Sequence, residues 1–233
     1  IRDRVAPAFV GQFGPDATPS RVKAALLELG FSDVVETALG ADIGAVAEAH
    51  HYANHVATGE LPFLLTSCCP SWAMLAKKFF PDLIDQISQE LTPMVATART
   101  IKQEHPNAKV VFIGPCAAKK LEAMRRTVRS EVDFVLTFEE MSGIFAAKDL
   151  DLENMHEDAD GVNDVSTDGR NFAVSGGVAQ AVVDVIKKEY PDKEIKIANA
   201  ESHNGHCLWD FCKYTAPKRY GNIARQQPKR TIF

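Results

Sequence analysis

The chain has 233 residues, 45% of them hydrophobic and 24% charged, and carries a net charge of -5. That is an ordinary globular composition, long enough for one large or two small cores, and its negative balance argues against nucleic acid as the main partner. No apolar run approaches the ~18 residues that a membrane helix needs, and no secretory signal is visible at the start.

In chain order, residues 1–10 predict a short apolar strand closed by Pro7, followed by a Gly- and Pro-containing loop. Thr18-Pro19-Ser20 signals a helix start, and residues 21–29 carry the apolar stripe Val22, Ala25, Leu26 and Leu29 before Gly30 in the C′ position. Val34-Val35 marks a second strand, which this β-loop-α-β order makes parallel to the first. Residues 40–59 read as a helix, and the apolar run 61–65 as a buried strand. That run ends in Thr66-Ser67-Cys68-Cys69-Pro70-Ser71-Trp72, a tight turn with two thiols, and an amphipathic helix follows over 72–80. Neighbouring residues on an extended turn point in different directions, so one thiol can bind a metal while the other faces a cavity. Equally, the pair can be two inert cysteines packed as small hydrophobes.

Residues 83–87 and 93–105 predict helices. Residues 109–113 are a β-branched run typical of a buried strand, and they end in Gly114-Pro115-Cys116-Ala117-Ala118-Lys119-Lys120-Leu121-Glu122. A second thiol thus stands at the carboxyl end of a strand, the edge where ligands gather in open α/β sheets. Two such turns in one chain point to a shared site. Residues 133–137 predict a strand and 138–148 a helix, whereas 149–170 is acidic, without periodicity, and reads as a long surface loop. Residues 172–177 read as a strand entering Gly176-Gly177, 179–190 as a helix and 195–200 as a last strand. Strands alternating with helices predict an α/β fold with a mostly parallel sheet. Five cysteines, an odd number, suit a reducing cytoplasm and thiolate ligands better than a disulfide framework. The start at Ile1, without a methionine, suggests a fragment of a longer protein.

The first cysteine turn resembles one signature of the [FeFe]-hydrogenase catalytic domain, and Pro115-Cys116-Ala117-Ala118-Lys119-Lys120-Leu121-Glu122 resembles the second. The likeness also takes in Val5-Ala6-Pro7-Ala8, the helix at 22–30 and Ser175-Gly176-Gly177-Val178, and it covers roughly residues 1–200. It implies two lobes, about 1–108 and 109–233, each a mostly parallel sheet flanked by helices, with a cofactor cleft between them. It implies that Cys69 and Cys116 ligate a [4Fe-4S] cluster, beside a diiron subcluster with CO and CN ligands, together the H-cluster. Cys68 is then the free thiol that exchanges a proton with the diiron unit, and Lys119 reaches a cyanide. The backbone of Ala6, Pro7 and Pro115 wraps the same ligands, and Gly176 and Gly177 allow close approach. Taken singly, Lys119 reads as a solvated lysine and Gly176-Gly177 as a turn.

The family's proton path maps onto Glu48, Glu122 and, within one residue, Ser88, with His51 replacing an acid. A histidine can relay protons near neutral pH. Gly114 stands where the family usually has Met, Ala8 where it often has Ser, and Ala179-Gln180 where Met-Glu is common. The family's third signature, a Gly-rich turn with two more cysteines, is absent. Cys207 and Cys212, with four residues between them, are either a reshaped third motif or lie on a helix upstream of a lost one. The resemblance implies reversible H2 oxidation and proton reduction, with electrons from ferredoxin-like domains or a redox partner. The divergent opening, Val5 through Gly14, also fits a hydrogen-sensing module, and the missing turn fits a cluster scaffold without the diiron unit or an enzyme completed by another subunit.

Overall fold

The computed structural model describes residues 2–157, 165–174, 176–193, 195, 197–198 and 213–214. Its centre is a four-stranded, all-parallel sheet in the order β2-β1-β3-β4, built from β1 (Arg2–Val5), β2 (Asp33–Glu36), β3 (Val110–Gly114) and β4 (Phe134–Thr137). Parallel strands are covered on both faces, so β3 is an unbroken apolar run with every residue buried. In register, Val5 lies beside both Glu36 and Ile113, and Gly114 beside Thr137. The ladder continues past the strand end, where the Ala6 N–H donates to the Ile113 carbonyl at 2.9 Å. Ala6-Pro7 and Pro115-Cys116 therefore leave the sheet side by side at its carboxyl edge.

Helix α1 (Pro19–Glu28) starts where expected: Thr18 accepts from the Arg21 N–H at 3.3 Å, and Gly30 ends it at φ +95°. Val22, Ala25 and Leu26 face the first core, which also holds the sheet and helix α6 (Phe138–Ala147), itself begun by a Thr137–Glu140 capping box. A second core joins α2 (Ala38–His51), its π-helical continuation Tyr52–Val56, residues 63–65 and α8 (Gly177–Glu189). Helices α3 (Pro70–Phe79), α4 (Pro93–Glu104) and α5 (Ala118–Met124) complete the frame around the cysteine turns.

Three expected elements differ. Residues 61–65 form no sheet strand; Leu65 makes a single parallel bridge to Ile87, with Phe63, Leu64 and Leu65 buried in the second core. Their apolarity serves packing against helices. Residues 83–87 fall largely within a 3-10 turn, Pro81–Gln86. The expected strand at 172–177 is a 3-10 turn, Asn171–Ala173, followed by left-handed Gly176 at φ +77°. The polar stretch 149–170 ends in the short helix α7 (Thr167–Arg170), held by a two-bond ion pair from Arg170 to buried Glu36 at 2.8 and 2.9 Å. The short pair β5 (Ile197–Ala198) and β6 (Lys213–Tyr214) is antiparallel. The sheet takes strands from both sides of residue 108, so β1 and β3, assigned by sequence to different lobes, are neighbours. Among the described residues no helix is long and apolar enough to cross a membrane.

Helix α2 crosses α4 at Gly40, where an added Cβ would lie 2.2 Å from the Pro93 carbonyl and 2.3 Å from Thr97 Oγ1. Gly40→Ala is expected to destabilise the fold by about 2 kcal/mol or more. Gly143 in α6 has open space around it, so Gly143→Ala is expected to stabilise by about 0.5–1 kcal/mol through helix propensity and chain entropy. Urea denaturation of the two variants checks the opposite signs.

Candidate active site

Each cysteine turn runs into a helix N-terminus. Cys69 is the N-cap of α3, with extended backbone, and Pro70 needs no N–H partner in the first turn. Cys116 sits one residue before the N-cap of α5, its carbonyl accepting from the Lys119 N–H at 3.1 Å. Cys68, Cys69 and Cys116 are all free and partly buried.

Lys119 ties the two turns together. Its ammonium donates to the Cys68 carbonyl at 3.0 Å and to Glu122 Oε2 at 2.7 Å, with Glu122 buried and Lys119 largely so. The position immediately before Cys69 is thereby fixed to the helix that follows Cys116. Lys119 is not a solvated surface lysine. Trp72 Nε1 braces the first turn from within, donating to the Thr66 carbonyl at 2.8 Å. Ser67 Oγ donates to the Ser88 carbonyl at 2.6 Å, which fastens the turn to the Ile87 strand segment.

Behind Cys68 stands a buried acid. Glu48 projects from α2 at 7% exposure and is hydrogen-bonded by the Ser88 hydroxyl and by the Ser67 backbone. Burial pushes its carboxyl up to about 7, the Glu90 charge adds to the rise, and the two hydrogen bonds oppose it. Burial also pushes the Cys68 thiol up to about 11, helped by the Glu48 charge and opposed by Lys119. Cys68 therefore keeps its proton at neutral pH beside a carboxyl that can take one up or release one there.

The structure brings Cys68, Lys119, Glu122, Glu48 and Ser88 into one neighbourhood. A cavity of about 390 Å³ is lined by Ser67, Ser88, Glu90 and Glu122, among others. His51, one helical turn beyond Glu48, has Nδ1 4.0 Å from Glu90 Oε1. Glu90 was not singled out from sequence; its signal was its place two residues after Ser88. Ala6 is buried at the sheet's carboxyl edge, with Pro7 half-buried and Pro115 exposed beside it. A Cβ on Gly114 would lie 2.5 Å from the Phe112 ring and 3.4 Å from Ala6 Cβ, so that ring occupies the room a side chain would need. Gly176 and Gly177 have local reasons to be glycine: the first is left-handed, and a Cβ on the second would lie 1.7 Å from the Asn171 carbonyl.

Cys207 and Cys212 lie outside the described residues. Among the described residues no group of three or more His, Cys, Asp or Glu is placed to hold a metal ion. By donor type, Cys69 and Cys116 could supply two of the four thiolates that an iron–sulfur cluster usually takes.

This parallel α/β frame, with its two thiol turns joined through Lys119, has counterparts. Residues 4–216 match the family model described as the iron only hydrogenase large subunit, C-terminal domain. The chain belongs to that family. It is 27% identical over 198 residues to iron hydrogenase 1 of Clostridium pasteurianum, covering 78% of this chain and 34% of that protein. The periplasmic [Fe] hydrogenase large subunit of Nitratidesulfovibrio vulgaris is 29% identical over 199 residues, 78% of this chain and 47% of that one. The cytosolic Fe-S cluster assembly factor NAR1 of Kluyveromyces lactis is 28% identical over 141 residues, 57% of this chain and 30% of NAR1. An apo [FeFe]-hydrogenase variant from Chlamydomonas reinhardtii superposes with a TM-score of 0.66 at 26% identity, over 88% of this chain and 58% of the other. The chain spans about a third to a half of the length of these curated relatives.

Glu48 gives a stability test. Its folded pKa of about 7 lies above the ordinary 4.5, so the native state binds more protons between these values. Stability then falls as pH rises from about 4.5 through 7. Glu48→Gln is expected to match the wild type near pH 5 and to exceed it above pH 7, by on the order of 2–3 kcal/mol. Denaturation at the two pH values measures the difference.

Proposed function

We propose that this chain is the core of an [FeFe]-hydrogenase-type oxidoreductase that interconverts H2 with protons and electrons. The observation that carries the reading is the buried Cys68–Glu48–Ser88 set next to the Lys119–Glu122 pair. A cluster held only by thiolates needs Cys69 and Cys116 and makes no use of a neutral thiol with an acid behind it.

The H-cluster, when bound, supplies the iron at which hydrogen is split or formed. Cys69 and Cys116 would hold its cubane part. Cys68 carries a proton between the cofactor pocket and Glu48, which is neutral or charged near pH 7 according to need. Lys119 holds the Cys68 carbonyl in place, and its positive charge favours anionic ligands nearby. Glu122 balances that charge. Electrons would arrive from ferredoxin-like domains or a redox partner, in a reducing cytoplasm that suits the free thiols.

The second reading is an iron–sulfur assembly role like that named for NAR1, without the diiron unit. It is favoured by the likeness to NAR1 and by Cys207 and Cys212, whose spacing departs from the family's third cysteine turn. A second chain bearing thiolates would complete either site.

Infrared spectroscopy of the matured protein separates the two. The hydrogenase reading expects bands of iron-bound CO and CN; a cubane with no such bands after full maturation leaves the assembly reading. Cys68→Ala is expected to keep the bands while H2 turnover falls by about 100-fold or more. Unchanged turnover would remove Cys68 from the path.

A further inference from the structure

Glu90 stands where three features meet. Its N–H donates to Ser88 Oγ at 3.2 Å, its Oε1 is 4.0 Å from His51 Nδ1, and it lines the cavity of about 390 Å³ that Glu122 and Ser88 also line. Exposure rises outward along this line. Ser88 and Glu48 are 2% and 7% exposed, while the His51 and Glu90 side chains are 22% and 37% exposed. Glu90 is thus a more exposed acid beside the buried pair. The sequence places an imidazole at 51, and the loop after Ser88 sets a carboxylate against it.

We infer that Glu90 and His51 form the outer station of the proton path, through which Glu48 exchanges protons with solvent. The inference rests on the hydrogenase reading above. In the outward direction, the Glu48 carboxyl gives its proton to Ser88 Oγ as Ser88 releases its own hydroxyl proton toward the Glu90–His51 pair. That pair passes one proton to solvent, and Glu48 is left as a carboxylate to be reloaded from Cys68. No electron moves, and the proton count is unchanged. The gap between Ser88 and the Glu90 carboxylate is bridged by water, for which the polar cavity has room. Of the charged groups, Glu48 and His51 from α2 face Glu90, and Lys77 from α3, Arg99 from α4, and Glu122 and Arg125 from the α5 end line the same cavity.

Glu90→Gln tests the assignment on two readouts. In the full chain labelled with carbon-13 at glutamate carboxyls, before cofactor loading, the Glu48 midpoint is expected to fall below its wild-type position near 7. In the matured protein, H2 turnover is expected to drop at least about tenfold with a larger solvent deuterium isotope effect. The CO and CN bands should stay in place, and Glu90→Asp should recover part of the rate. His50→Gln is the control, because His50 pairs with Glu189 at 2.9 Å and is expected to change neither readout. An unmoved Glu48 midpoint, or unchanged turnover and isotope effect in Glu90→Gln, overturns the inference. If the matured wild type shows no turnover, the hydrogenase reading fails, and the Glu48 midpoint alone decides whether Glu90 acts on the buried acid.

Discussion

One buried ammonium organises this site. Lys119 lies on the helix after the second cysteine turn and holds the carbonyl at the heart of the first, while Glu122 neutralises it. An unpaired charge at that depth would be strongly destabilising, on the order of several kcal/mol. The pair is therefore tolerated because each member satisfies the other and a backbone carbonyl takes a further donor. This contact joins two segments more than forty residues apart. Sheet register alone brings Pro115-Cys116 beside Ala6-Pro7, but it does not reach the Cys68-Cys69 turn. Lys119 supplies the missing connection, and Trp72 and Ser67 stiffen what it grips.

The same dryness sets the protonation states. Burial disfavours charge on both Cys68 and Glu48, and each charge would further disfavour the other. Lys119 partly relieves Cys68, and Ser88 partly relieves Glu48. The result is a thiol that stays neutral and a carboxyl balanced near neutrality. Such a pair suits movement of protons better than storage of charge.

Much of this was legible in the sequence where local chemistry decides. Thr18, Pro19 and Gly30 bracket α1, and the β-branched run before Gly114 is the central strand. The two cysteine motifs contain Cys68 and Lys119, and the family's proton path pointed to Glu48 and, within one residue, Ser88. What failed was decided by tertiary packing. Residues 61–65 look like a strand because they are apolar, yet their burial comes from the second core and one bridge. Residues 172–177 look extended, but Gly177 must sit against the Asn171 carbonyl, which favours a 3-10 turn and a left-handed Gly176. Glu90 belongs to no motif. Its meaning arises from the fold laying the loop after Ser88 against α2.

The choice between catalysis and cluster assembly turns on what the fold tolerates without structural need. Among the described residues Glu48 meets no cation that would hold it charged, and a neutral residue of its size would avoid its desolvation. Burying such an acid destabilises the native state at neutral pH. Features that oppose stability gather at functional sites. Two thiolates holding a cubane gain nothing from this acid, since neither Cys69 nor Cys116 bonds to it among the described contacts. A proton path gains its inner station. The unfavourable burial of Glu48 behind Cys68 is thus the physical feature that supports the proposed hydrogen chemistry over the assembly reading.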